Sequence, residues 1–268
     1  MFRKNQFARV CLTSSAVFGL IVSAALAAYV TPKIGGGQSS AMMKHADVSF
    51  DGVNITVHLD TTVPTPVLRP LTPPDQFDPN QPWSVLGYQA YNYQWAWNPG
   101  TVAGLPDGTA ICMERVYQDP ELTVYLRTPM YDPNTYGPKW PEIFTENGYR
   151  WKWSGAMQHN AYAICGPEKS SYTATYKIYI GDVVTKEPLE GYSYDMATFT
   201  WNATPAGDMN CDGFLDGLDI EAFCLALMDR AAYEAEYTTC RWYNADCNCD
   251  GAVGVADIQA FTARVLGM

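Results

Sequence analysis

Between residues 45 and 200 no helical period of useful length appears, and short runs of apolar and polar positions alternate instead with a period of two. ADVSF and VNITVHL flank the turn dipeptide Asp51-Gly52, and Val53, Ile55, Val57 and Leu59 share one face, which predicts a strand pair. The prolines at positions 64, 66, 70, 73, 74, 79 and 82 exclude helix and central strand, so this stretch reads as an extended connector or an edge-hugging loop. Further strands are predicted at 85–97, 109–116, 122–127, 149–153, 160–165, 172–180 and 196–201, with Gly, Pro, Asn and Asp between them. Short strands so spaced predict a mainly β fold, with an antiparallel β-sandwich body over residues 83–205. The period then changes. Ile220, Phe223 and Leu227 fall on one helical stripe, and Ile258, Phe261 and Val265 repeat its offsets, which predicts a small all-α module over residues 206–268.

The N-terminus changes the setting. Arg3, Lys4 and Arg9 precede an uncharged run from residue 10 to residue 30, and Ala25-Leu26-Ala27 is a small-x-small site. Residues 1–27 therefore read as a cleaved signal peptide, with an uncleaved membrane anchor as the competing reading. Residues 28–82 then form a leader, the strand pair and the Pro-rich segment. The expected location is secreted or cell-surface. The chain carries a net charge of −11, and losing the three positive charges of the signal leaves −14. That balance lacks the basic face that nucleic-acid binding requires. Acidity is concentrated in the tail, where residues 207–268 hold eleven Asp and Glu against three Arg.

Export makes the cysteines disulfide candidates before metal ligands. Cys112 and Cys165 are alone in the middle region, and a bridge between them is the simplest expectation. Five more lie in the tail, an odd number, so at least one is free or intermolecular. Zinc is disfavoured, because Cys247-x-Cys249 has no nearby His and fits no standard spacing. Catalysis is not expected: His58 and His159 have no nucleophile motif beside them, and GxSxG, HExxH and glycine-rich phosphate loops are absent. The aromatics offer a second candidate. Trp95 with Trp97, and Trp151 with Trp153, are spaced to share a strand face, so Trp151 and Trp153 could form a strip on which a sugar stacks. An inward-facing core is the bland alternative, and Tyr91, Tyr93, Trp95 and Trp97 on one face fit it well.

The tail carries the sharpest pattern. Residues 208–219 place Asp208, Asn210, Asp212, Asp216 and Asp219 at positions 1, 3, 5, 9 and 12 of a twelve-residue loop. Residues 246–257 repeat it 38 positions later with Asp246, Asn248, Asp250 and Asp257, Gly254 standing at position 9. Calcium is a hard cation that takes about six to eight oxygens, so side-chain oxygens must converge from one turn of chain. Gly213 and Gly251 at position 6 permit the bend, and Phe214 and Ala252 at position 7 offer backbone carbonyls. Each loop is followed by the same Asp-Ile-x-Ala-Phe run. Over residues 207–266 this tail resembles a type I dockerin, and its NCDG, GLDI and ADCN strings are similar to dockerin-like tails of secreted planctomycete proteins. The resemblance implies two calcium loop–helix units in pseudo-twofold symmetry, two bound Ca2+ and docking onto a cohesin-like or other envelope or extracellular protein. Positions 10 and 11, Gly217-Leu218 and Val255-Ala256, depart from the Ser-Thr pair often found in cohesin-binding dockerins and suggest an apolar partner face. The expected function is a non-catalytic protein whose module mediates docking or assembly of the β body. The alternative is a carbohydrate-active or carbohydrate-binding protein of a polysaccharide-degrading complex.

Overall fold

The computed structural model describes residues 28–127 and 132–267, so the predicted signal peptide lies outside the described residues. Fourteen strands lie among them. β1 (Tyr29–Val30), β2 (Lys44–Phe50), β3 (Ile55–Leu59) and β4 (Gln76–Phe77) precede a 3-10 turn at Pro82–Leu86. β5 (Ala90–Asn92), β6 (Trp95–Val102), β7 (Thr109–Gln118) and β8 (Thr123–Tyr125) follow, and then the one-turn helix α1 (Pro133–Tyr136). β9 (Glu142–Ile143), β10 (Arg150–Lys152), β11 (Gln158–His159), β12 (Ala161–Ile164), β13 (Ser171–Asp182) and β14 (Asp195–Asn202) complete the β region. The tail holds α2 (Asp219–Met228), α3 (Arg230–Glu236) and α4 (Asp257–Val265). Among the described residues no helix is long and apolar enough to cross a membrane.

The protein is mainly β, as its alternating pattern predicts. Three four-stranded sheets run β10-β7-β13-β14, β11-β6-β2-β3 and β5-β12-β8-β9, and β1 pairs with β4. On β13 the alternation is clean: Tyr172, Ala174, Tyr176, Ile178 and Ile180 are buried while the residues between them are less so up to Lys177. Within residues 83–205 every strand pairing among the described residues is antiparallel, as expected; the parallel pairs, β2 with β6 and β1 with β4, bring in strands of the preceding segment. Parallel neighbours require a long crossover. The Pro-rich stretch after β3 supplies most of it, contributing β4 and bridging Val67 with Asn202 and Arg69 with Tyr91, before β5 leads into β6.

Rings from different sheets meet in one core. Trp95 and Trp97 of β6 pack on Phe199 of β14 at centroid distances of 4.4 and 4.7 Å. Tyr162 of β12 lies 4.2 Å from Trp201 of β14. The predicted strand 85–97 is broken between β5 and β6, where Gln94 donates its backbone N–H to Asn92 Oδ1 at 2.8 Å. That break sends Tyr91 and Tyr93 into a second, smaller cluster with Leu86 and Trp140, so the four rings are all buried but do not form one face.

Trp151 and Trp153 must also be reassigned. Both are buried in the main core, and Trp153 Nε1 donates to Ala156 O at 2.8 Å, so neither offers a stacking surface to a sugar. Pairing with β7 sets Trp151 opposite the buried Met113, and just past β10 the Trp153 N–H donates to Ile111 O at 3.1 Å, so both rings join Ile111 and Met113 in the core.

The Cys112–Cys165 bridge is overturned as well. Cys165 pairs with Cys249 and Cys211 with Cys240, at Cα separations of 5.9 and 5.6 Å. Cys112 is a buried free thiol on the face of β7 opposite Ile111 and Met113, beside Ala110 and Tyr179. Cys165 follows β12 in another sheet, where the chain turns toward the tail. Cys224 and Cys247 are also free, the first exposed and the second buried.

Candidate metal centre

The two loops of the tail share most of their hydrogen bonds. In loop 1 Asn210 Oδ1 accepts from the Asp212 N–H and Asp212 Oδ1 from the Phe214 N–H, both at 2.9 Å. In loop 2 Asn248 accepts from Asp250 and Asp250 from Ala252, again at 2.9 Å. Such two-residue side-chain turns are what Asn and Asp favour locally. Cys211 and Cys249 follow at φ 59° and 60°, and Gly213 and Gly251 at φ 90° and 86°. The left-handed φ at position 6 is why glycine stands there.

Position 12 closes each loop. Asp219 Oδ1 accepts from the Met209 and Asn210 N–H groups at 2.7 and 3.1 Å, and Oδ2 from Asp216 at 3.0 Å. Asp257 accepts from Cys247, Asn248 and Gly254 at 2.8, 3.1 and 2.9 Å. Position 1 is tied across the loop, Asp208 accepting from Gly213 and Asp246 from Gly251, both at 3.1 Å.

These four carboxylates are almost wholly buried, Asp208 at 1% exposure and Asp219 and Asp257 at 0%. Among the described residues none of them forms an ion pair. Asp208 Oδ1 is buried without any hydrogen-bond partner. Burial first, and then the Asp219 carboxylate, push the Asp208 carboxyl above its usual range, and burial does the same to Asp246. Buried carboxylates ordinarily have a cation or a full set of donors. The donor set fits calcium: hard oxygens from Asp, Asn and a backbone carbonyl, in a loop whose first carboxylate has an unused, desolvated oxygen. Among the described residues no three His, Cys, Asp or Glu side chains are gathered as a metal cage. The loop carboxylates are held by backbone N–H groups, and Asp212 and Asp250 take the side-chain amides of Asn210 and Asn248 at 3.1 and 3.0 Å.

The helices after the loops meet through Phe223 and Phe261, whose rings stack with centroids 3.8 Å apart and planes 2° from parallel. Ile220 and Ile258, expected in the same seam, are about half exposed and line an open apolar groove instead. Sequence reasoning did not reach the groups that brace loop 1 from behind. The Tyr233 hydroxyl donates to Met209 O at 2.9 Å, and Asn244 Nδ2 donates to Asp208 O at 3.2 Å. Nor did it reach the Cys165–Cys249 staple, which ties position 4 of loop 2 to the β region. No local period marks such long-range partners. The chain matches no protein-family model and no curated protein.

Proposed function

We propose that this is an extracytoplasmic, non-catalytic protein in which a β-sandwich body carries a dockerin-like module that binds two calcium ions and docks onto a cohesin-like or other envelope protein. The observation that carries the reading is the matched pair of loops, each burying two carboxylates that no protein cation offsets. Asp208, Asn210, Asp212, Asp216, Asp219 and the Phe214 carbonyl would hold one ion; Asp246, Asn248, Asp250, Asp257 and the Ala252 carbonyl the other. Bound calcium would neutralise the converging carboxylates and so link loop closure to ion concentration. The two disulfides agree with an oxidising compartment.

A purely internal role for the module would require its apolar loop residues to be buried within the chain. They are not: Leu218 is 70% and Val255 82% exposed. A few residues further along, Ile220 and Ile258 are about half exposed and line an apolar groove between α2 and α4, which favours a partner. The test is retention of the chain on an envelope fraction from the source cells in calcium. The double variant Leu218→Asp, Val255→Asp should lose retention while keeping its calcium stoichiometry. Unchanged retention would refute docking through this face.

A further inference from the structure

A second feature lies where the tail meets the β region. A cavity of about 130 Å³ is lined by residues that include Arg69, Tyr88, Arg241, Tyr243, Asn244 and Asp246. Arg69 comes from the Pro-rich crossover and Arg241 from the segment before loop 2, 172 positions apart in the chain. Neither guanidinium forms an ion pair among the described residues. Arg69 Nη1 donates to Gly35 O at 3.0 Å and more weakly to Val67 O at 3.4 Å. Arg241 Nη2 donates to Thr72 Oγ1. A guanidinium has about five N–H donors, so most of those on both residues have no acceptor among the described residues. Asp246 does not fill the role. Its carboxylate is engaged within its own loop by the Asp250 and Gly251 N–H groups at 3.2 and 3.1 Å.

We propose that this cavity binds one small oxyanion, a carboxylate, sulfate or phosphate group, between Arg69 and Arg241. Two half-buried like charges repel each other and have lost part of their hydration; burial, and for Arg241 the neighbouring Arg69 charge, disfavours their protonated forms. An anion that bridges them reverses both costs, and the planar fork of arginine matches an oxyanion in bidentate fashion. Composition does not force such a pair, because Lys and Arg number only 17 against 28 Asp and Glu. Size selects the ligand. One water needs about 10–15 Å³ by this measure, so the cavity has room for a tetrahedral ion and a few waters, while pockets that enclose drug-sized organic ligands run to about 300–1,000 Å³. Tyr88, a non-glycine residue at φ 62°, lines the cavity and packs its ring against Gly251 of loop 2, so the calcium loop adjoins the site.

A free ion and the acidic group of a larger molecule share this chemistry, so two probes are needed. The chain from residue 28 onward, with both cystines intact and arginine labelled with 15N, is titrated with sodium sulfate at fixed ionic strength, and separately with trigalacturonate. Direct binding is the readout, because sulfate raises the melting temperature of most proteins by exclusion alone. Two arginine Nε–Hε resonances should shift along one saturable curve. Arg241→Gln should weaken sulfate binding at least about tenfold, the equivalent of about 1.4 kcal/mol, and Arg241→Lys should weaken it less. Tighter binding of trigalacturonate than of sulfate assigns the site to an acidic polymer; the reverse order assigns it to the free ion. Arg69→Gln is a second variant, and if loss of its Gly35 contact unfolds the chain, Arg241→Gln decides alone. Linear, unsaturated shifts for both probes, or equal affinity in Arg241→Gln and the unaltered protein, would overturn the site.

Discussion

Gly254 stands where loop 1 has Asp216, so loop 2 has one fewer side-chain oxygen and one fewer charge to offer an ion. Fewer charged ligands weaken calcium binding. Calorimetry on Asp219→Ala should therefore leave the weaker site and on Asp257→Ala the stronger one; equal residual affinities would contradict the ligand assignment. A different carboxylate serves the β region. Burial works to raise the Asp119 carboxyl, but hydrogen bonds from Lys169, the Thr173 N–H and the Tyr117 hydroxyl, at 2.5, 2.6 and 2.8 Å, outweigh it and hold the pKa below the usual range. A group depressed on folding stabilises the protein above its unfolded pKa of about 3.9, and that stabilisation is lost as pH falls through the folded value. Asp119→Asn should cost about 1.5–3 kcal/mol at neutral pH, the range for hydrogen bonds to a charged group. Urea unfolding at neutral pH and near pH 3 should show the gap between variant and parent narrowing in acid. The loop aspartates were legible in the sequence because local chemistry fixes their spacing. Arg69 and Arg241 were not, because only the crossover and the tail packing bring them to one cavity.

At the scale of elements, strands long enough to show a period of two were legible within a few residues, β13 and β14 among them. The two-residue strands β1, β4, β9 and β11 were not, since two residues display no period. The break between β5 and β6 was hidden for another reason: Asn92 and Gln94 look like the polar half of an alternation, yet they hydrogen-bond to each other and divert the chain. The helices α2 and α4 depend on one another, because helices of about ten residues are marginal alone in water. Truncating a buried ring costs about 3–5 kcal/mol, so Phe223→Ala should release both. Hydrogen exchange in saturating calcium should show amides of α2 and α4 losing protection while β7 and β13 keep theirs. Retained protection in both helices would show that the Phe223–Phe261 stack does not hold them.

Across the whole molecule the disulfides set the connectivity, and pairing was the part least visible in the sequence. Both cystines end at position 4 of a loop, Cys211 held to the segment before loop 2 and Cys249 to the turn after β12. The Cys165–Cys249 bridge spans 84 positions and fastens the tail to the β region, which the pairing of nearest isolated cysteines could not anticipate. Burial pushes the Cys112 thiol to about 11 and the Cys247 thiol to about 12, so both are poor nucleophiles in the folded protein. Alkylation of the native protein followed by non-reducing peptide mapping should label Cys224 alone and recover the Cys165–Cys249 and Cys211–Cys240 peptides. Label on Cys165 or Cys249 would refute the clamp.

The central claim, that the paired loops are calcium sites, is tested most directly by isothermal calorimetry on the chain from residue 28 onward, dialysed free of divalent ions with its cystines oxidised. Two calcium ions should bind per chain, one more weakly than the other, and a chelator should lower the melting temperature of the tail. A folded, oxidised sample that takes up no calcium, and whose melting the chelator leaves unchanged, would contradict it.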